Sequence, residues 1–312
     1  MIRRTALSLV LALCAIIISG CGQAEFKPTF TAGQADTYKV VQETTKEVSF
    51  EQPSINKSKL DTTKSVVEIV FEQATTDVAE DGTATFNITV KELKLYSKGQ
   101  QGVNMDYDST TEAAKNAPLS KLIGESYKIS IDTAGTAKVV DATGIRTAAN
   151  SREAKALMSD EAIEKRHTII AMPQDGDVLL ARGKSWTNLG ATPKGALQPK
   201  AFEKVYSVEA IEDSADGKIA NIKMQALETN KQVEGFDSAS GGLGVMANIF
   251  DSVADFNGEL KYNTTTGKIV SYNEKLVSEH IAAEEPRGGD AGKGPDVLTM
   301  RFINSYSIEV VD

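Results

Sequence analysis

EIVFEQATTDVAEDGTATFNITVKEL, residues 68–93, is the stretch whose reading decides the fold. Its second half alternates, with Phe86, Ile88 and Val90 on one side and Asn87, Thr89 and Lys91 on the other. A period of two with one apolar and one polar side is what an antiparallel strand half exposed to water requires. Between the halves stands Glu80-Asp81-Gly82, turn chemistry in which glycine supplies a positive φ without steric cost. The stretch predicts a β-hairpin.

Segments of the same texture, rich in Val, Ile, Thr and Tyr, recur at 125–132, 136–143, 200–213, 217–229, 258–266, 267–281 and 297–311. Turns at Thr133-Ala134-Gly135, Asp216-Gly217 and Thr266-Gly267 separate several of them. The hairpin stretch also aligns with EKVYSVEAIEDSADGKIANIKMQAL, residues 203–227. Downstream, Tyr107-Asp108-Ser109 matches Phe236-Asp237-Ser238, and an apolar helical pattern follows each. Then come Gly124-Glu125 or Gly258-Glu259, and a hairpin around Gly135 or Gly267. Unrelated hairpins resemble one another, but four landmarks in one order favour two copies of a single unit.

Each unit carries one apolar stripe at helical spacing. In residues 109–124 it is Ala113, Ala117, Leu119, Leu122 and Ile123, interrupted at Pro118. In residues 241–256 it is Leu243, Met246, Ala247, Phe250, Val253 and Ala254. Between the units, SREAKALMSDEAIEKRHTIIAMP (151–173) reads as a helical crossover. The expected fold is mainly β with α (α+β): a duplicated, long, curved antiparallel sheet of half-barrel type, with helices packed on its concave face.

The N-terminus carries a different signal. Arg3 and Arg4 precede an apolar run that is too short to span a membrane and has the shape of a secretory signal peptide. The run ends on Ile18-Ser19-Gly20-Cys21, which resembles the lipobox of bacterial lipoproteins, where the cysteine receives acyl chains and becomes the first residue after cleavage. Cys14 is then discarded and Cys21 lipidated, so disulfides, thiolate metal sites and cysteine nucleophiles are excluded. Loss of residues 1–20 leaves 32 basic groups against the 43 acidic ones, a balance of −11 that disfavours nucleic acid and anionic headgroups. Attachment to the membrane therefore falls to the acyl chains on Cys21. Gly22 after the cysteine is not the aspartate that retains enterobacterial lipoproteins in the inner membrane, which favours the outer membrane, facing the periplasm. The expected organisation is a signal peptide (1–20), lipidated cysteine and tether (21–36), first unit (37–145), crossover (146–177) and second unit (178–312).

Candidate chemistry elsewhere is sparse. Gly242 to Ala247 matches G-x-G-x-x-A, but no buried parallel strand precedes it, so a dinucleotide site is not expected. RGGDAGKGP (287–295) has Gly294 where a phosphate loop needs Ser or Thr. His167 and His280, without cysteines or a close histidine spacing, read as surface residues rather than zinc ligands. Glu212-Asp213 and Glu284-Glu285 read as solvated charge, and Asp108 and Asp237 as caps of the helices that follow them. Trp186, the single tryptophan, reads as a core plug or a lid over a sheet edge.

The lipobox, the aromatic-Asp-Ser steps and PQDGDVLLARGKSW (173–186), with its Gly183-x-x-Trp186, resemble bacterial envelope lipoproteins of undefined function. The order of sheet and helix is similar to the half-barrel of the LolA carrier and of LppX-type lipoproteins, over most of residues 37–312. That resemblance implies a concave apolar surface able to hold acyl chains. It implies neither catalysis nor a cofactor, and it transfers no ligand-binding residue. The expectation is a non-catalytic outer-envelope lipoprotein that binds or carries a lipid or other hydrophobic ligand in a pocket of several hundred Å³. The alternative is a structural or protein-interaction lipoprotein with a filled core.

Overall fold

Residues 68–93 form the hairpin between β3 (Lys57–Val78) and β4 (Ala84–Gly99), with Gly82 at φ 86° in its turn. Phe86, Ile88 and Val90 are buried, whereas Lys91 is exposed, so the alternation in the sequence sorts inside from outside. The computed structural model describes residues 24–173, 178–193, 195–233, 249–284 and 294–311. Cys21, the Phe236-Asp237-Ser238 step, Glu285, and Leu243, Met246 and Ala247 lie outside the described residues.

The hairpin belongs to one large antiparallel sheet. Its other strands are β2 (Ala35–Gln52), β5 (Gly102–Asp108), β6 (Ser126–Ile131), β7 (Ala137–Asp141), β9 (Ser185–Ala191), β10 (Ala201–Ser214), β11 (Gly217–Thr229), β12 (Asp251–Asn263), β13 (Lys268–Glu284) and β14 (Asp296–Val311). The strand order is β7-β6-β4-β3-β2-β14-β13-β12-β11-β10-β9, with β5 paired to β4 off this path. The last strand thus pairs with β2 near the N-terminus, and β7 and β9 stand at the two free edges. A further pair, β1 (Ala24–Glu25) with β8 (Leu179–Leu180), stands apart.

Several elements depart from the sequence expectation, among them β5 and β9, which it does not contain. β2 is absent from the predicted strands because its inward row turns polar after Tyr38 and Val40, continuing as Gln42, Thr44 and Lys46, so the alternation fades. The stripe through Phe250, Val253 and Ala254 predicts a helix, yet Asp251–Asn263 is a strand. Ala254, Phe256 and Leu260 share the inward face there and Val253 is exposed, so the apparent helical spacing was a short apolar run that fits either period. The helical pattern of residues 109–124 resolves into two short 3-10 turns, 112–116 and 118–122, the second opening on Pro118.

The predicted crossover forms α2 (Arg152–Leu157) and α3 (Asp160–His167), preceded by α1 (Thr143–Ala148). Ser151 and Ser159 cap α2 and α3 by accepting the amide protons of Ala154 and Ala162. Behind α3, residues 169–172 tie opposite ends of the sheet together. Ile169 N donates to Gly135 O in the β6–β7 turn (2.9 Å), and Trp186 Nε1 of β9 donates to Ala171 O (2.9 Å). Gly135 (φ 79°) is needed here, because a Cβ would come within 2.6 Å of Met172. Strands lie ~4.8 Å apart, so in a flat sheet β6 and β9 would be separated by roughly 40 Å. Four residues span at most about 14 Å. The sheet therefore curls until its two edges approach the same short segment.

Its inward side is filled by two clusters of buried side chains. One gathers residues of β2–β7 and α1–α3, including Ile69, Phe71, Phe86, Leu93, Leu122 and Ile163. The other gathers Phe26, Trp186, Phe202, Tyr206, Met224 and Phe302 from the N-terminal segment and β9–β14. Tyr306 and Ile308 of β14 pack against both.

Candidate functional site

Where the two clusters meet, the inward side is not closed. A cavity of about 390 Å³ lies between β2, β3, β13 and β14 on one side and α2 and α3 on the other. Val40, Val67, Ile69, Leu157 and Ile170 supply apolar wall, and Gln42, Glu161, Lys165, Arg166, Glu274 and Asn304 supply polar groups. The strands reach it because their inward rows run Val40–Gln42, Val67–Ile69 and Asn304–Tyr306 in register. A smaller cavity of about 60 Å³, bordered by Phe26, Phe30, His167 and Met172, has room for little more than water.

Two buried polar networks border the larger cavity. In the first, Lys204 of β10 and Glu274 of β13 form an ion pair of 2.6 Å, with both side chains almost wholly shielded. Tyr272 donates to the same carboxylate at 2.5 Å, leaving its oxygen to accept from Tyr206 at 3.3 Å. The Lys204 ammonium also lies 4.4 Å from the centre of the Phe256 ring. Burial, reinforced by the Glu274 charge, pushes the Tyr272 hydroxyl well above its ordinary pKa. Glycine at position 258 makes room for this pair, since a Cβ there would overlap the Asn273 carbonyl and crowd Glu274.

The second network lies on α3. Arg166 Nη1 donates to the Tyr127 hydroxyl at 3.4 Å and Nη2 to Leu157 O at 2.8 Å. Tyr127 in turn stands 2.7 Å from His167 Nε2. Arginine can only donate, so the tyrosine proton is free to go to the imidazole, which fits a neutral ring. Burial holds the His167 pKa well below its ordinary value, and the neighbouring Arg166 charge adds to the effect.

The histidines are thus a correction: both are buried rather than on the surface. His167 packs edge-on against Phe71 (4.6 Å), and His280 faces Ser252 with Nδ1 2.7 Å from the hydroxyl. His280 Nε2 has no hydrogen-bond partner among the described residues, so no carboxylate orients the ring as a serine–histidine nucleophile requires. Sequence reasoning missed them because a single histidine in an alternating or helical segment carries no sign of which side it takes. Trp186 is a buried plug, stacked on Tyr206 at 5.2 Å and packed against Phe26. Asp108 holds the turn behind β5, accepting from the amide and hydroxyl of Thr110, and these bonds lower its pKa; it does not cap the following 3-10 turn. Glu212 and Asp213 are exposed at the end of β10. Among the described residues no three His, Cys, Asp or Glu side chains stand together as metal ligands, and no helix is long and apolar enough to cross a membrane.

No protein-family model matches the chain, and no curated protein is significantly similar to it in sequence. Among solved structures, lipovitellin, in a structure describing its lipid–protein interactions, aligns with 91% of this chain at 9% identity and a TM-score of 0.41. This chain spans only 25% of that one. OpdL of Pseudomonas aeruginosa aligns over 88% of this chain and 98% of its own, at 8% identity and a TM-score of 0.21. DynF of the dynemicin pathway of Micromonospora chersina aligns over 92% and 85%, at 7% identity and a TM-score of 0.18. None of the three is a LolA- or LppX-type carrier, and likenesses this distant carry no argument for this chain.

Proposed function

We propose that this chain is a lipid-anchored, non-catalytic protein of the cell envelope that holds a lipid or another hydrophobic ligand inside a curled, half-barrel sheet, with α2 and α3 closing the hollow. One observation carries the reading: the cavity of about 390 Å³, walled by aliphatic side chains with a few convergent polar groups. Small-molecule sites have this size and this balance of wall and polar contacts. The anchor rests on Ile18-Ser19-Gly20-Cys21, and the outer membrane, on its periplasmic face, rests on Gly22. The −11 balance of the processed chain supports attachment through acyl chains rather than through charge.

The test is titration of the purified full chain with a fluorescent fatty-acid analogue. Saturable binding at one site per chain, weakened when Val67→Trp fills the cavity, is the expected result. Unsaturable or absent binding would favour the second reading, a structural or interaction lipoprotein. That reading draws on the two well-filled clusters on either side of the cavity.

A further inference from the structure

Arg166 is a feature of the cavity that a purely hydrophobic ligand leaves unexplained. The residue is only 8% exposed, yet the two hydrogen bonds its guanidinium donates go to neutral oxygens, Leu157 O and Tyr127 Oη. The two carboxylates that border the cavity belong to Glu161 and Glu274. Glu274 is held by Lys204 and Tyr272, and Glu161 is engaged in an interaction of its own. Among the described residues no carboxylate forms an ion pair with Arg166. A buried cation without a counter-ion is costly, and a fold retains one most readily where something else supplies the opposite charge. Lys165, the residue before it, borders the same cavity and adds a second positive group.

The geometry points to a ligand with an anionic headgroup: we infer that the cavity takes an amphiphile whose carboxylate sits on the Arg166 guanidinium, with its tail along Val40, Val67 and Ile69. This rests on the ligand-holding reading above and narrows it. The guanidinium's unused N–H groups match a carboxylate in two parallel hydrogen bonds, stronger than those between neutral groups. An alcohol of the same chain length gains the tail contacts but supplies no counter-charge. A quaternary ammonium of that length meets Arg166 and Lys165 as like charges.

The test is calorimetric titration of the purified full chain with dodecanoate, dodecanol and dodecyltrimethylammonium. Dodecanoate is expected to bind at least about tenfold more tightly than dodecanol, a difference of ~1.4 kcal/mol. The cation should bind more weakly than either. Arg166→Met should erase the preference, so that dodecanoate binds the variant no more tightly than dodecanol, and Arg166→Lys should keep part of it. If Arg166→Met does not fold, as judged by its melting curve, Arg166→Lys and the headgroup series on the unaltered protein decide the matter. Equal binding of dodecanoate and dodecanol by the unaltered protein overturns the headgroup inference and leaves the cavity reading standing. A preference that survives Arg166→Met overturns the assignment to Arg166. Failure of all three probes to bind overturns the cavity reading itself.

Discussion

Replacing Lys204 by methionine keeps most of the side chain's volume and removes its charge, which isolates the electrostatic part of the Lys204–Glu274 contact. The pair is short, at 2.6 Å, and its side chains are 7% and 12% exposed, so water screens it far less than a surface ion pair. With the ammonium gone, Glu274 keeps among the described residues its bond from Tyr272 alone. Removing one partner of a buried pair costs about 3–5 kcal/mol, because the remaining charge is left without compensation. An exposed pair would cost less than about 1 kcal/mol. Glu274→Leu should be equally damaging for the complementary reason. The double variant should lose less than the two single losses added together, since Tyr206 still partners the Tyr272 hydroxyl at 3.3 Å. Urea unfolding followed by circular dichroism at neutral pH supplies the four free energies, and a coupling of roughly 2–3 kcal/mol is expected from groups in direct contact. Single-variant losses below about 1 kcal/mol, or losses that simply add, would refute the reasoning.

Three further outcomes follow, two from the structure and one from the sequence. His167 and His280 have folded pKa values below the ordinary one, so the unfolded chain takes up protons first. Their contribution is complete above about pH 6.5 and is lost as the pH falls through that value, by at most ~1.4 kcal/mol per pH unit for each ring. Urea unfolding across that range should show the slope in the native chain and a shallower one in His167→Phe; a flat native profile would contradict it. Gly258→Ala should destabilise the fold by about 1–3 kcal/mol through overpacking against Asn273 and Glu274, and an unchanged denaturation midpoint would show that the strands can part to admit a methyl group. Cys21→Ala should leave the protein unlipidated, and either unprocessed or soluble; unchanged palmitate labelling and membrane fractionation would remove the basis for the anchor.

The β character of the chain was legible because Phe86, Ile88 and Val90 alternate with polar neighbours and a glycine turn stands beside them. β2 was not, because Gln42, Thr44 and Lys46 face inward and break the contrast that alternation depends on. The same inward polarity concealed the cavity: Gln42, Asn304 and Glu274 come from strands far apart in sequence, and only the pairing of β14 with β2 brings them to one place. Burial of His167 and Arg166 in adjacent positions of α3 was likewise invisible, since that helix is polar along most of its length and packs through Ile163 and the last turn. Helices were expected in 151–173, but the tie from the β6–β7 turn to β9 that follows α3 depends on contacts distant in sequence.

The proposed function requires that the cavity beneath α2 and α3 hold a hydrophobic ligand. Native mass spectrometry of the full chain, purified from its own membranes without added lipid, tests it most directly when run beside Ile69→Trp, which would fill the same space. The expected spectrum of the unaltered protein shows a non-covalent adduct with the mass of an acyl-chain amphiphile, released by collisional activation and absent from the folded variant. A bare mass for the unaltered protein, or the same adduct on both proteins, would contradict the account.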